Sequence, residues 1–161
     1  MTTTAKRQLV LSMFFVAIAS AACVAKEESV AALKSRLESA RPEDQSGICV
    51  RIAERQLREA DRLYTDGHVD DARAAIDDVV TYSEKARDLA IDTRKNQKNV
   101  EIAARKMAAR LRDIKRTLAF EDQPAVDEAV RRLEDVRTAL LKEMFSVKKD
   151  KSKDKDKEAK P

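Results

Sequence analysis

Few side chains in this sequence could carry out catalysis. His68 is the only histidine, and it follows Gly67 in a segment with the composition of a tight turn. A Ser–His–acid arrangement needs partners that cannot be named here, and zinc ligation needs clusters of His or Cys that the sequence lacks. Neither glycine stands in a glycine-rich motif that could cradle a phosphate. We therefore predict that the protein is not an enzyme and uses no metal or cofactor.

The carboxylates, methionines and cysteines also give no indication of catalysis or metal binding. Asp66, Asp70 and Asp71 lie close together but lack the spacing and the closing glutamate of a calcium loop. Met107 and Met144 fall on apolar stripes and are predicted core residues.

Cys49 is the only cysteine left if an N-terminal export signal is removed after Ala25. It stands among apolar residues, so we predict a small, buried side chain. The alternatives are a disulfide between two chains, or one with Cys23 if that residue is retained.

The residues suited to binding are basic and lie between Arg94 and Arg116. This segment has nine bases and two acids, whereas Asp66–Asp92 has eight acids and three bases. The predicted binding face consists of Arg94, Lys95, Lys98, Arg105, Lys106, Arg110, Arg112, Lys115 and Arg116. Such a face could bind anionic lipid headgroups or an acidic polymer of the cell envelope. Alternatively, the two segments pair with each other, in one chain or between antiparallel copies, or both are simply solvated.

The net charge of +4 does not indicate a nucleic-acid partner. Lys6 and Arg7 contribute +2 and residues 146–161 contribute +3, which leaves −1 for residues 26–145. A nearly neutral central region lacks the basic surface that nucleic-acid binding requires. Residues 146–161 alternate Lys with Asp or Glu and have almost no apolar side chains, so they are predicted to be disordered.

The N-terminus is typical of an export signal. Lys6 and Arg7 precede a short apolar run, which small residues follow up to Ala25. We predict a signal peptide over residues 1–25 and a periplasmic or extracellular protein. The residues before Cys23 resemble a bacterial lipobox, which would imply a lipid on that cysteine; the preferred interpretation is an ordinary cleavage zone.

The rest of the chain has the composition of helices, with only 4% aromatic residues and few helix breakers. We predict a short amphipathic helix over residues 27–41, within an N-terminal part spanning residues 26–46. A helical-hairpin domain over residues 47–145 would follow. Two long antiparallel hairpins, residues 48–93 and 99–145, would make it an all-α, coiled-coil-like fold.

The junction between the hairpins allows two predictions. An apolar stripe continues at heptad spacing through residues 72–118, with neither Gly nor Pro, which favours one long central helix over residues 69–120. Residues 92–99 contain no apolar side chain, which favours a loop that folds the second hairpin onto the first. We favour the continuous helix.

The sequence also contains an internal similarity. Residues 67–81 align with residues 124–138 at a shift of 57, and upstream Leu57 aligns with Ile114 and Leu63 with Phe120. We interpret this as a duplicated hairpin; the alternative is that acidic helix starts look alike.

The first hairpin resembles a tetratricopeptide-type helical hairpin over roughly 34 residues. The matching residues are Ala60, Gly67, Val69, Asp70, Asp71, Ala72 and Ile76. Glu59 and Glu84 depart from the pattern. The resemblance implies a binding or scaffold role.

These features predict an exported, non-catalytic helical scaffold or adaptor that acts through protein–protein contacts. Alanines at core positions indicate close helix packing and a thin core, which favours a protein partner or a homodimer. The alternative function is binding of anionic lipid or an acidic envelope polymer through the basic face.

Overall fold

The helices follow the apolar stripes of the sequence. In this computed structural model, which describes residues 28–158 and the side chains of residues 28–146, the fold is all-α. The helices of the described residues are α1 (Val30–Ser39), α2 (Pro42–Thr65), α3 (Val69–Thr93), α4 (Gln97–Lys115) and α5 (Gln123–Glu158). A short 3-10 turn, Phe120–Asp122, precedes α5.

The first two helices begin at residues that favour a helix start. The Ser29 hydroxyl accepts a hydrogen bond from the Ala32 amide at 3.2 Å, which satisfies one free donor at the start of α1. Pro42 occupies the first turn of α2, where its missing N–H costs nothing. Residues 42–46 are helical and Gly47 lies inside α2, whereas the start of the hairpin domain at residue 47 stays a prediction.

The turn between α2 and α3 ends α2 as predicted. Gly67 has a φ of +80°, which a residue with a side chain adopts only at a cost. The amide of His68 donates to the Leu63 carbonyl at 2.9 Å, and the amide of Gly67 donates to the Tyr64 carbonyl at 3.2 Å. These two bonds satisfy carbonyls that the end of α2 would otherwise leave unpaired.

The predicted single helix over residues 69–120 is wrong. α3 ends at Thr93 and α4 begins at Gln97, with Arg94 at φ 55° and Asn96 at φ 60°. Left-handed backbone at these two positions reverses the chain. The loop alternative is confirmed in kind, but the loop comprises residues 94–96 only and is shorter than the polar run 92–99.

Tertiary contacts explain why the helix stops. The Asn96 side-chain amide donates to the Glu43 carbonyl at 3.0 Å and to the hydroxyl of the fully buried Ser46 at 3.2 Å. Both acceptors lie at the start of α2, so the turn is fixed to a neighbouring helix. Turning here also buries the stripe of α4 against the bundle, whereas a continuous helix would expose it to water.

The two predicted antiparallel hairpins, α2–α3 and α4–α5, are present and pack side by side in parallel register. Asp61 of α2 pairs with Arg110 of α4, and Glu84 of α3 pairs with Arg132 of α5. α2 therefore runs alongside α4, and α3 alongside α5. The Arg73–Asp122 pair, at 2.7 Å, joins the start of α3 to the turn before α5.

The core fills the space between all the helices. One half contains residues such as Leu57, Ile76, Leu111 and Leu133, contributed by the four long helices. The other half includes Leu33 and Leu37 of α1, which therefore covers one side of the α2–α3 hairpin. Buried alanines allow the close approach that the sequence predicted; they include Ala72, Ala86, Ala90 and Ala104. Met107 is buried as predicted, and Met144 packs against the core edge.

The internal similarity holds for α3, α5 and the first of the two upstream pairs, whose residues are both buried, but not for the second. Ile76 and Leu133, which align at a shift of 57, are both buried. Leu63 packs against the core, whereas Phe120, its predicted equivalent, is 83% exposed. The constant shift fails there because the connection between α4 and α5 is longer than the turn between α2 and α3.

Several predictions fall outside the described residues. The signal peptide, residues 1–25, and Cys23 lie before residue 28. α5 continues to Glu158, and its last buried side chain among the described residues is Leu140; disorder of residues 146–161 stays a prediction. In the described part of the chain, no helix has both the length and the apolar character needed to span a bilayer.

Two glycine substitutions test the turn at residues 94–96. We expect Asn96→Gly to lower the free energy of unfolding by about 1–2 kcal/mol, because the backbone tolerates glycine but two hydrogen bonds are lost. Arg94→Gly is the matched control: relief of the left-handed strain offsets the greater freedom of the unfolded chain, so a change within about 0.5 kcal/mol is expected. Urea unfolding measures both. Equal losses would mean that the Asn96 side chain does not hold the turn.

Candidate functional site

The two residues with the most reactive side chains have no catalytic surroundings. Cys49 is fully buried and unpaired, as predicted for a small core residue. Burial raises the pKa of its thiol from an ordinary 9.0 to about 11, so the thiolate that would act as a nucleophile is disfavoured. His68 is exposed and immediately precedes α3, where its side chain makes no capping hydrogen bond.

The predicted basic residues do not form one continuous face. Arg94 and Lys95 lie in the turn before α4, and Lys98 lies in its first turn. Along α4, the remaining residues point in different directions because helix positions rotate by about 100° per residue. Arg105, Arg112 and Arg116 lie on the outer side, as Lys98 does. Lys106 and Arg110 face α2, whereas Lys115 faces α5.

Four of the nine bases are already paired within the chain. Arg110 contacts Asp61 of α2 at 2.5 Å, and Lys115 contacts Asp127 of α5 at 2.6 Å. Arg112 pairs with Glu134 of α5. Arg116, the residue that follows α4, pairs with Asp113 of α4 at 3.0 Å. Because these charges are partly satisfied, they are less available to an external anion.

The other five bases are exposed and have no acid of the described residues within 4 Å. They are Arg94, Lys95, Lys98, Arg105 and Lys106. The unpaired charge therefore lies over the first half of α4 and the turn before it. The predicted binding face is reduced to this part.

Among the described residues of one chain, no ion pair joins the acidic segment 66–92 to the basic segment 94–116; pairing between two copies stays a prediction. Glu84 pairs with Arg132 of α5, and Asp78 pairs with Lys34 of α1 at 3.4 Å. The parallel packing of the hairpins explains this. It places α3 beside α5 and α4 beside α2, so the two segments face other helices.

A groove separates α2 from α4 on the outside of the bundle. Its volume is about 560 Å³. Leu57 and Met107 line its floor, and Lys106 stands on its rim. The other lining residues are Glu54, Arg58, Asp61 and Arg110, so both signs of charge are present, with an excess of bases.

Sequence reasoning missed the α2 side of this groove. Glu54 and Asp61 lie on the flank of the predicted α2 stripe, but which helix they would face depends on the parallel packing of the hairpins. It also missed the exposure of Phe120. Phe120 lies off the heptad stripe and four residues before Pro124. These two features could have indicated a position outside the core.

Comparisons with known proteins give no family. No protein-family model matches the chain, and neither a curated protein nor a solved structure matches it. The tetratricopeptide-type resemblance therefore rests on the quoted residues alone. Among the described residues, no group of three or more His, Cys, Asp or Glu side chains is placed to hold a metal ion.

The buried thiol predicts a pH dependence of stability. Because the folded-state pKa of Cys49 is raised, the thiol's contribution is complete below pH 9 and is lost as the pH rises toward 11. The unfolding free energy of the native chain minus that of Cys49→Ala should fall by about 1.5 kcal/mol between pH 9 and pH 10.5, with a slope that approaches about 1.4 kcal/mol per pH unit. Urea unfolding of both proteins measures this, and the other titrating groups cancel in the difference. A difference that does not change with pH would contradict the assignment.

Proposed function

We propose that the protein is an exported, non-catalytic helical adaptor that binds a protein partner along the α2–α4 groove. Its most reactive side chains occupy structural positions, since Cys49 lies in the core and His68 lies in a turn. The surface instead carries a groove and exposed bases, which suit a binding partner.

The observation that carries this proposal is the placement of unpaired charge beside the groove. Lys106 stands on the groove rim, and Arg105 is its neighbour on α4; neither has an acid of the described residues within 4 Å. Elsewhere on α4, Arg110, Arg112 and Lys115 are held by acids of adjacent helices. Exposed bases without a paired acid beside a groove favour a partner that supplies acids there.

The chemistry of the groove indicates an acidic, partly apolar segment as the partner. Side chains at the floor, Leu57 and Met107, offer limited apolar contact, while Lys106 would meet carboxylates of the partner. Charges on such a rim act mainly on association rate and specificity, so the interaction should weaken as salt rises.

A second function is favoured by the five unpaired bases themselves. Their position over the α3–α4 turn and the first half of α4 suits an extended anionic surface, such as lipid headgroups or an acidic envelope polymer. This function would not need the groove, because Arg94 and Lys95 lie beyond its lining residues.

Cross-linking in cells tests the adaptor proposal. A photo-reactive residue at exposed Ala109 of α4 should give one adduct of defined mass, and the same residue at exposed Thr81 of α3 should not. The variant Arg105→Glu/Lys106→Glu should lose the adduct. The matched control, Lys85→Glu/Lys142→Glu, changes the net charge equally at exposed positions on α3 and α5 and should keep it.

The other outcomes are equally informative. Absence of an adduct at Ala109, or loss of it in both charge variants, would contradict the adaptor proposal. If the native protein instead sediments with phosphatidylglycerol vesicles at 20 mM salt and is released at 150 mM salt, the surface-binding function is supported.

A further inference from the structure

The two ends of the bundle differ in charge and shape. One end carries the α2–α3 turn and the connection before α5, and the other carries the α3–α4 turn and the start of α2. α3 runs from one end to the other and, with 25 residues, is about 37 Å long at 1.5 Å per residue. The ends are therefore separate surfaces.

The first end is acidic and carries a protruding aromatic ring. Phe120 is 83% exposed, the highest value among large apolar residues in the described part of the chain. Glu121 follows it, and Asp70 and Asp71 are exposed in the first turn of α3. The side chain of Asp70 is 99% exposed even though it lies 3.7 Å from Arg73.

Phe120 is held in place although its ring is exposed. It belongs to a 3-10 turn whose Asp122 side chain, only 15% exposed, binds Arg73 of α3 at 2.7 Å. On the other side, the Gln123 side-chain amide donates to the Leu118 carbonyl at 3.2 Å. A ring presented on a fixed turn loses little conformational freedom on binding, which favours association.

The opposite end contains a cavity and two exposed bases. Arg41, Pro42, Glu43, Thr93 and Lys95 line a space of about 370 Å³ between the start of α2 and the end of α3. The Arg41 side chain is engaged with Glu43 at 3.4 Å and with Asp44 at 3.0 Å.

Lys95, on the cavity rim, and Arg94 beside it have no acid of the described residues within 4 Å. This end therefore offers a recess beside two bases without a paired acid, although the exposed Asp92 lies at the same end.

We propose that a second copy of this chain occupies the cavity, with Phe120 of one molecule inserted between Pro42 and Thr93 of the next. In that arrangement Glu121 meets Lys95, and Asp70 and Asp71 lie near Arg94. The two surfaces are different, so the contact is head-to-tail and leaves a free surface at each end of every assembly. Successive molecules then add to an open chain, because no symmetry closes it into a dimer.

This inference rests on the proposed function only in that both act through protein contacts. It uses the ends of the bundle, whereas the adaptor proposal uses the groove between α2 and α4. Phe120→Ser should therefore keep the cross-link formed at Ala109, and Arg105→Glu/Lys106→Glu should keep self-association. Failure of one proposal is thus distinguished from failure of the other.

Sedimentation velocity of the full chain over a range from 10 µM to 1 mM, in 20 mM salt, tests the proposal. The average mass should rise with concentration past that of a dimer. Phe120→Ser should weaken association at least tenfold, and its melting temperature should be unchanged because the ring is exposed. The exposed Lys85→Glu serves as the charge control and should associate like the native protein.

A charge exchange gives the sharpest result. Lys95→Glu and Glu121→Lys should each weaken association, and the double variant should restore it, because every contact then pairs the exchanged charges. A monomer at all concentrations, a plateau at the mass of a dimer, or association unchanged in Phe120→Ser would each overturn the proposal.

Discussion

The apolar stripe on either side of residues 94–96 can be buried only if the chain turns back there. A straight helix would carry the stripes of α3 and α4 end to end and leave α4 uncovered. The turn places α4 beside α2, so that Met107 and Leu111 join Leu57 and Ile76 in one core. Burial of such side chains contributes roughly 1.5–3 kcal/mol each, which outweighs the cost of two left-handed residues. Asn96 then fixes the turn to the start of α2.

The direction of the turn decides which charges meet. Because the hairpins stack in parallel, acids of α2 and α5, and not those of α3, neutralise the second half of α4. The first half of α4 and the preceding turn keep their positive charge. At the opposite end of the bundle, the acids at the start of α3 keep their negative charge. The uneven surface charge is therefore a consequence of how the core closes.

Local features of the fold could be predicted from the sequence, since they depend on near neighbours. The stripe spacing predicted the buried faces, Gly67 predicted the end of α2, and the apolar neighbours of Cys49 predicted its burial. The sequence could not decide whether the helix breaks at Thr93, because the polar run 92–99 favoured a loop whereas the continuing heptad phase, without Gly or Pro, favoured one helix. The break follows from burial of the α4 stripe against α2 and from the contact between Asn96 and Ser46, both of which join residues distant in sequence. For the same reason the sequence predicted the nine basic residues but not which of them other helices would neutralise.

A distance across the turn tests the account most directly. Spin labels at exposed positions 70 and 116, in a chain with both Cys23 and Cys49 replaced by alanine, report whether the start of α3 and the end of α4 lie at the same end of the bundle. With neighbouring helices packed about 10 Å apart, pulsed electron paramagnetic resonance should give a single distance below about 30 Å. A continuous helix would separate the two positions by about 70 Å at 1.5 Å per residue, and a distance in that range would contradict the folded-back bundle.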